Sequence, residues 1–133
     1  MVNEENTLAE IQDYFAADRF ATEAGCTIVE AKAGYCVAEL PITDHLLNAN
    51  NTVMGGATFT LADFAMAVAA NLDNKPTVSI ACNIRFFGVA KGSKLIATCT
   101  TDKAGRRVGF YRVDVCDDLG NKVASYEATA SRS

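Results

Sequence analysis

The sequence predicts a single α+β domain in which one antiparallel sheet wraps around one central helix. The segment Gly55–Asn71 is rich in Ala, Leu, Met and Phe and is apolar nearly all round, as in helices buried inside a protein. The segments on either side of it have the composition and alternation of β-strands. A chain of 133 residues with 50% apolar residues has the size of one ordinary domain, so we assign residues 1–133 to it.

The N-terminal residues predict a first helix. Thr7 and Glu10 form the T-x-x-E pattern of a capping box, in which each side chain bonds to the backbone of the other residue. We therefore expect a helix over Thr7–Ala17. Three apolar residues fall on one face of it: Leu8, Ile11 and Phe15.

A hairpin and a loop come next. Cys26–Lys32 and Tyr35–Leu40 are rich in β-branched and apolar residues and flank Ala33-Gly34, which predicts two strands joined by a turn. The segment Pro41–Thr52 predicts a loop, because it holds several turn-forming asparagines, namely Asn48, Asn50 and Asn51.

A meander of strands is predicted after the central helix. Side chains in Thr77–Phe87 alternate between an apolar face and a second face. The apolar face carries Val78, Ile80, Cys82, Ile84 and Phe86. The other face carries Ser79, Ala81, Asn83 and Arg85. Further strands are expected over Lys94–Asp102, Arg107–Asp117 and Lys122–Ser131. Asp118–Asn121 has the residues of a tight turn between the last two strands.

Composition excludes several classes of protein. The net charge of −4, from 12 basic and 16 acidic residues, argues against general binding of nucleic acid. No apolar run reaches the roughly 18 residues that a membrane span needs. The start, Met1–Glu10, is acidic and polar, unlike a signal peptide. We therefore expect a cytoplasmic protein that binds neither nucleic acid nor a membrane.

The cysteine pattern argues against disulfides and zinc. Five widely spaced cysteines are an odd number, no C-x-x-C pair is present, and His45 is the only histidine. A disulfide framework and a zinc site are therefore not expected. We expect the cysteines to be small buried core residues: Cys26, Cys36, Cys82, Cys99 and Cys116.

Asp63 is the only ionisable residue in the predicted central helix. Because a buried charge is costly without a partner, Asp63 either reaches a buried donor or a wet edge, or serves as a base or nucleophile. Gly55 and Gly56 begin the helix. They either form a simple turn or let a ligand approach the unpaired N–H groups there. A thioester carbonyl at that place would be polarised and its oxyanion stabilised.

The spacing of these groups bears on how they could act together. Gly55 and Asp63 lie eight positions apart, which is about 12 Å along a helix axis. One helix can hardly aim both groups at a single carbonyl carbon. If both act on one substrate, the aspartate comes from a neighbouring chain, which predicts a two-fold dimer with two shared active sites.

The stretch from His45 to Asp63 carries a resemblance to a known family. It contains His45-Leu-Leu-Asn48, then Thr52-Val-Met54-Gly55-Gly56, then Leu61-Ala-Asp63. It resembles the hotdog-fold acyl-CoA thioesterases of the PaaI type, whose pattern is roughly H-x-N-x-x-G-x-x-H-G-G-x-x-x-x-L-x-D. The likeness covers about Tyr35 to the C-terminus. It implies a hotdog fold, a dimer or tetramer, and hydrolysis of an acyl-CoA thioester between subunits without a cofactor, since coenzyme A is part of the substrate.

The resemblance also implies roles for four residues. Gly55 would donate its backbone N–H to the thioester carbonyl, and Asp63 of the partner chain would activate water or attack directly. Asn48 would help to place the water or the thioester. Ser79 matches a hydroxyl that assists the water in some relatives, although a polar strand face explains it equally well.

The sequence departs from the family pattern at two places. Met54 replaces the histidine before the glycine pair, which removes one donor near the thioester and implies altered substrate preference or slower turnover. The spacing glycine of the loop is also absent, with Asn51 nearby. Since the sequence does not fix the loop length, Asn50 or Asn51 could take the place of Asn48.

Other residues are expected to bind the substrate. Met54 and Gly56 flank the proposed donor, and His45 would pack at the mouth of the pocket, where a role as base is the less favoured alternative. The acyl group would contact apolar residues such as Phe59, Met66 or Phe87. The phosphates of coenzyme A would meet cations that could also be ordinary solvated charges: Lys91, Lys94, Arg106 and Arg107.

Two other functions compete with the thioesterase. A hotdog hydratase or dehydratase pairs a histidine with a carboxylate, but His45 lies far from Asp63 in sequence and the proline-rich loop pattern is absent. A non-catalytic acyl-CoA binder or sensor would explain Met54. Retention of Asp63 in an apolar helix argues against it, because a structural site would prefer an apolar residue there.

Overall fold

The computed structural model describes all 133 residues as one antiparallel sheet of six strands that curves around a central helix. The strand order across the sheet is β1-β2-β4-β5-β6-β3. The elements before the central helix are α1 (Leu8–Phe15), α2 (Arg19–Ala24), β1 (Thr27–Lys32) and β2 (Tyr35–Pro41). The central helix and the strands after it are α3 (Gly55–Ala70), β3 (Thr77–Phe86), β4 (Lys94–Ala104), β5 (Val108–Asp117) and β6 (Lys122–Arg132). The predicted α+β architecture is confirmed.

The core lies between α3 and the concave face of the sheet. From Leu61 to Ala70, every residue of α3 is buried except Asp63 and Ala67, which are partly buried. The sheet side of the core includes Leu40, Leu95, Val113 and Tyr126, each with no exposed surface. The helix therefore has almost no polar face, and Asp63 is the exception within the buried part.

The first helix is confirmed, with one difference in its packing. Thr7 Oγ1 accepts a hydrogen bond from Glu10 N at 3.2 Å, and Thr7 N donates to Glu10 Oε1 at 2.9 Å, so the capping box forms. Ile11 and Phe15 are buried, but Leu8 is 41% exposed. Leu8 is the first residue of the helix, where the chain has not yet reached the core. The short helix α2 was not predicted.

Both predicted hairpins are present. The β1–β2 turn contains Gly34 at φ +80°, and the β5–β6 turn contains Gly120 at φ +88°, a conformation that glycine adopts without strain. Asp117 fixes the second turn, because its carboxylate accepts bonds from Asn121 and from the backbone N–H of Lys91. These bonds hold the pKa of Asp117 well below its usual range.

Strand β3 forms one edge of the sheet and pairs only with β6. A β-bulge between Ser79 and Ala81 places Ile80 outside the ladder, so the predicted alternation of faces is interrupted there. Thr77 is the only buried residue of the strand. Large apolar side chains remain exposed along this edge and just beyond it: Val78 66%, Ile80 64%, Phe86 52%, Phe87 51% and Val89 49%.

The cysteines are all free. Three of them, Cys26, Cys36 and Cys99, are buried as predicted, and burial raises the pKa of each of these thiols to about 12. The prediction of a core position is wrong for Cys82, which is an exposed residue on the edge strand, while Cys116 is only partly buried. No helix has the length and apolar character needed to cross a bilayer.

Candidate active site

The first turn of α3 presents two free backbone donors. Met54 is in the extended conformation and its N–H donates to Leu46 O at 2.8 Å. Its carbonyl accepts from Ala57 N at 2.9 Å, which starts the helix. The N–H groups of Gly55 and Gly56 have no acceptor within the chain. They lie at the positive end of a 16-residue helix, which suits a developing negative charge.

The two glycines differ in why they lack a side chain. A Cβ on Gly55 would lie 3.1 Å from Phe86 Cζ, so the ring packs directly over the start of the helix. A Cβ on Gly56 would meet nothing within 4 Å. Packing therefore explains the first glycine. At the second, the missing side chain leaves open space beside the free donors.

A cavity of about 600 Å³ adjoins Gly56. It lies between α2 and the start of α3, and His45 and Met54 contribute to its wall. His45 is exposed in the single 3-10 turn Asp44–Leu46. Met54 is 59% exposed. The cavity is large enough for a small-molecule ligand and brings together three predicted binding residues.

Asn48 organises the loop before α3. Its Oδ1 accepts bonds from Asn50 N at 2.9 Å and from Thr52 N and Oγ1 at 3.2 Å. Asn51 adopts φ +60° in this loop. The Nδ2 group of Asn48 donates to no group in the chain, so it is free to donate to a ligand.

Asp63 lies two turns along α3 and is partly buried. Tyr126 donates a hydrogen bond from its hydroxyl to Asp63 Oδ1 at 2.9 Å, while Oδ2 has no partner in the chain. A second cavity of about 310 Å³ is lined by Asp63, Asp18 and Phe20, and it shares Phe20 and Thr60 with the cavity beside Gly56. Burial and the negative charge of Asp63 raise the pKa of Asp18.

The predicted donor and carboxylate remain apart within one chain. Gly55 and Asp63 both lie on the regular helix Gly55–Ala70, so about 12 Å of rise separates them along the axis. Ser79 is exposed on the edge strand opposite Ala130 and makes no side-chain hydrogen bond. No group of three or more His, Cys, Asp or Glu side chains is close enough to hold a metal ion.

The predicted phosphate-binding cations do not gather at one place. Lys91 precedes β4 and Arg106 and Arg107 follow it, so the 11 residues of that strand separate them by about 30 Å. Within one chain they cannot contact the same phosphate, so their binding of coenzyme A phosphates stays a prediction. Lys94 is paired with Glu39 at 3.1 Å.

Among the predicted acyl contacts, Met66 is 2% exposed and belongs to the core rather than to a pocket wall. Phe59 packs edge-on against Tyr126, with ring centroids 5.4 Å apart. Phe87 is exposed beyond the edge strand, with the Arg85 guanidinium 5.3 Å from its ring centroid. Of these three, Phe59 alone lines a cavity next to Asp63.

Sequence reasoning missed Tyr126, Asp18 and Phe20. Tyr126 lies 63 positions from Asp63, and nothing in its own strand distinguishes it from an ordinary core tyrosine. Asp18 precedes the unpredicted helix α2, and Phe20 is 82% exposed on that helix. Only the pairing of β6 and the packing of α2 bring these residues to α3.

The family model of the Thioesterase superfamily matches residues 50–124. The chain belongs to the thioesterase superfamily. Within this superfamily, it is 31% identical over 117 residues to the acyl-coenzyme A thioesterase PaaI of Escherichia coli, covering 86% of this chain and 83% of that one. It is also 31% identical over 100 residues to human acyl-coenzyme A thioesterase 13, covering 73% of this chain and 71% of that one.

The structural comparison agrees with this assignment. The structure of the E. coli PaaI protein from the phenylacetic acid degradation operon matches with a TM-score of 0.83 at 26% identity, covering 96% of each chain. A Haemophilus influenzae thioesterase, HI1161, matches with a TM-score of 0.88 at 18% identity and supports the fold alone. The hotdog fold and the likeness to PaaI are confirmed. As a member of the superfamily, the chain is a thioester hydrolase.

Proposed function

We propose that this thioesterase hydrolyses an acyl-CoA thioester to the free acid and coenzyme A. The observation that carries the proposal is the start of α3, where the N–H groups of Gly55 and Gly56 are unpaired beside a cavity of about 600 Å³. Asp63 supports it, since one of its oxygens is held by Tyr126 and the other has no partner in the chain. The names of the two acyl-coenzyme A thioesterase relatives supply the substrate class.

In this reaction, Asp63 takes a proton from a water molecule while the water oxygen attacks the thioester carbonyl carbon. The carbonyl oxygen becomes negative and is stabilised by the N–H of Gly55. The C–S bond then breaks, the acid is released, and the coenzyme A thiolate takes up the proton that Asp63 accepted. In the alternative, Asp63 attacks the carbon itself, the C–S bond breaks as coenzyme A leaves as the thiolate, and water hydrolyses the resulting anhydride. Both routes use the same residue and the same donor.

The active site is proposed to lie between two copies of the chain. The exposed edge of β3 supports this, because exposed apolar edge strands invite pairing with another chain. Val78 and Ile80 lie on that edge, and Phe86 covers Gly55 at its far end. A two-fold dimer formed there would bring the α3 helices together and supply the Asp63 of one copy to the Gly55 of the other.

A free-thiol release assay tests the proposed activity. Wild-type protein and Asp63→Asn are assayed with acyl-CoAs from acetyl to palmitoyl, together with phenylacetyl-CoA and benzoyl-CoA. We expect turnover of at least one of them, and its loss in Asp63→Asn. Binding of acyl-CoA without turnover of any would overturn the proposal in favour of a binding protein. Equal activity of wild type and Asp63→Asn would overturn the role of Asp63.

A further inference from the structure

Tyr126 lies where it can control the orientation of Asp63. Its side chain has no exposed surface, and its ring packs edge-on against Phe59 at 5.4 Å. Phe59 precedes Asp63 by about one helical turn on α3. The ring is therefore held between strand β6 and the helix that carries the carboxylate, which fixes the position of the hydroxyl group.

The hydrogen bonds around this hydroxyl have a defined direction. Tyr126 Oη lies 2.9 Å from Asp63 Oδ1 and 3.3 Å from Cys82 Sγ. An ionised carboxylate can only accept, and a phenol has a single proton to donate. Tyr126 therefore donates to Asp63, and the Cys82 thiol donates to the phenol oxygen.

Tyr126 remains a donor throughout the pH range in which the protein would be assayed. Burial, the hydrogen bond with Cys82 and the charge of Asp63 together raise the pKa of Tyr126 far above its ordinary value. The phenol therefore does not ionise at neutral pH and cannot itself act as a base. Its chemical contribution at this place is to hold one carboxylate oxygen.

We propose that Tyr126 is a positioning residue for hydrolysis: it holds Asp63 Oδ1 so that Oδ2 is left to take the proton of the attacking water or to attack the thioester. The proposal rests on the proposed function of Asp63. It follows from the bond at 2.9 Å, the burial of the ring, and the absence of any other partner for Asp63 in the chain. A carboxylate fixed at one oxygen is preorganised for reaction at the other.

Tyr126→Phe tests this proposal, because it keeps the ring and its packing and removes only the hydroxyl. Tyr111→Phe is the matched control. Tyr111 is also a buried tyrosine, 2% exposed, but its hydroxyl is bonded to Arg132 Nη1 at 2.6 Å. Both variants lose one buried hydroxyl group with its hydrogen bonds, and only the first loses a bond to Asp63. Thermal melting of each variant gives the folded fraction to which activity is referred.

We expect Tyr126→Phe to lower kcat about tenfold, equivalent to about 1.4 kcal/mol, with KM within twofold of wild type. Tyr111→Phe should keep both constants within twofold. On the Asp63→Asn background, measured at high enzyme concentration, Tyr126→Phe should cause no further loss, because it acts through that carboxylate.

An unchanged kcat in Tyr126→Phe, an equal loss in Tyr111→Phe, or a further loss on the Asp63→Asn background would each overturn the positioning role. These outcomes are distinguishable from failure of the proposed function. If Asp63→Asn is as active as wild type, the function assigned to Asp63 is wrong. If Asp63→Asn is inactive while Tyr126→Phe is fully active, only the role of Tyr126 is wrong.

Discussion

Replacement of Gly55 by proline removes the proposed oxyanion donor while leaving the helix start intact. Proline is well accepted at the first helical position, where its fixed φ suits the helix and its missing N–H has no intrahelical partner. The N–H of Gly55 has no acceptor in the chain, so no internal hydrogen bond is lost. Met54, the preceding residue, has φ −63° and ψ 137°, which is compatible with a following proline.

Gly55→Ala is the control for this change. The new Cβ of either variant would lie 3.1 Å from Phe86 Cζ, so both require the same small shift of that ring. Alanine keeps the backbone N–H, whereas proline does not. The difference between the two variants therefore separates the replacement of the N–H by the proline ring from the effect of the added Cβ.

The expected magnitude follows from the loss of one oxyanion-hole donor. Such a loss lowers kcat about 10²–10³-fold, or by about 2.7–4 kcal/mol. We expect Gly55→Pro to show this loss in free-thiol release with the best acyl-CoA substrate, and Gly55→Ala to remain within about tenfold of wild type. Equal kcat values for the two variants, with both folded by circular dichroism, would show that the N–H of Gly55 is not the oxyanion donor.

Two further predictions concern assembly and acid stability. Ile80→Lys should convert the proposed dimer to monomers and abolish turnover without unfolding the chain. Leu119→Lys, at an apolar residue 68% exposed in the β5–β6 turn, should leave both assembly and turnover unchanged. Light scattering after gel filtration, together with the release assay, decides this, and a dimeric, active Ile80→Lys would contradict the proposed interface. The free energy of unfolding should fall as the pH drops below about 4. Hydrogen bonds from Asn121 and from the backbone of Lys91 lower the pKa of Asp117 in the folded state. The stabilisation that these bonds give is therefore fully present above the unfolded pKa of 3.8, and it is lost as the pH falls through the folded pKa. Urea titrations at pH 3 and pH 6 measure it, and Asp117→Asn should reduce the difference; an equal difference in that variant would contradict the assignment.

Local patterns in the sequence were sufficient to predict most of the fold. The capping box of Thr7 and Glu10, the glycine of each hairpin turn and the unbroken apolar composition of α3 all act within a few residues, so they predict elements near their observed bounds. Helix α2 was missed because Arg19–Ala24 is only six residues long, too short for a clear helical period.

The site was predictable only in part. Gly55 and Asp63 could be singled out as candidates because the glycine begins an apolar helix and Asp63 is the only ionisable residue in it. The partnership of Asp63 with Tyr126 depends on the register of β6 against the other strands, which no local pattern specifies. The bulge at Ile80 likewise depends on how β3 meets β6. The separation of Lys91 from Arg106 was foreseeable, since successive turns of a meander lie at opposite ends of the strand between them.

In the proposed dimer, each active site combines Gly55 of one chain with Asp63 of the other. A mixed dimer of Gly55→Pro and Asp63→Asn chains, carrying different affinity tags and purified through both, tests this sharing of residues. If the active site is shared, one of the two sites in the mixed dimer has both native residues. The dimer then regains about half of the wild-type activity, although each parent homodimer is nearly inactive. A purified mixed dimer as inactive as its parents would contradict the claim and place the reaction within a single chain.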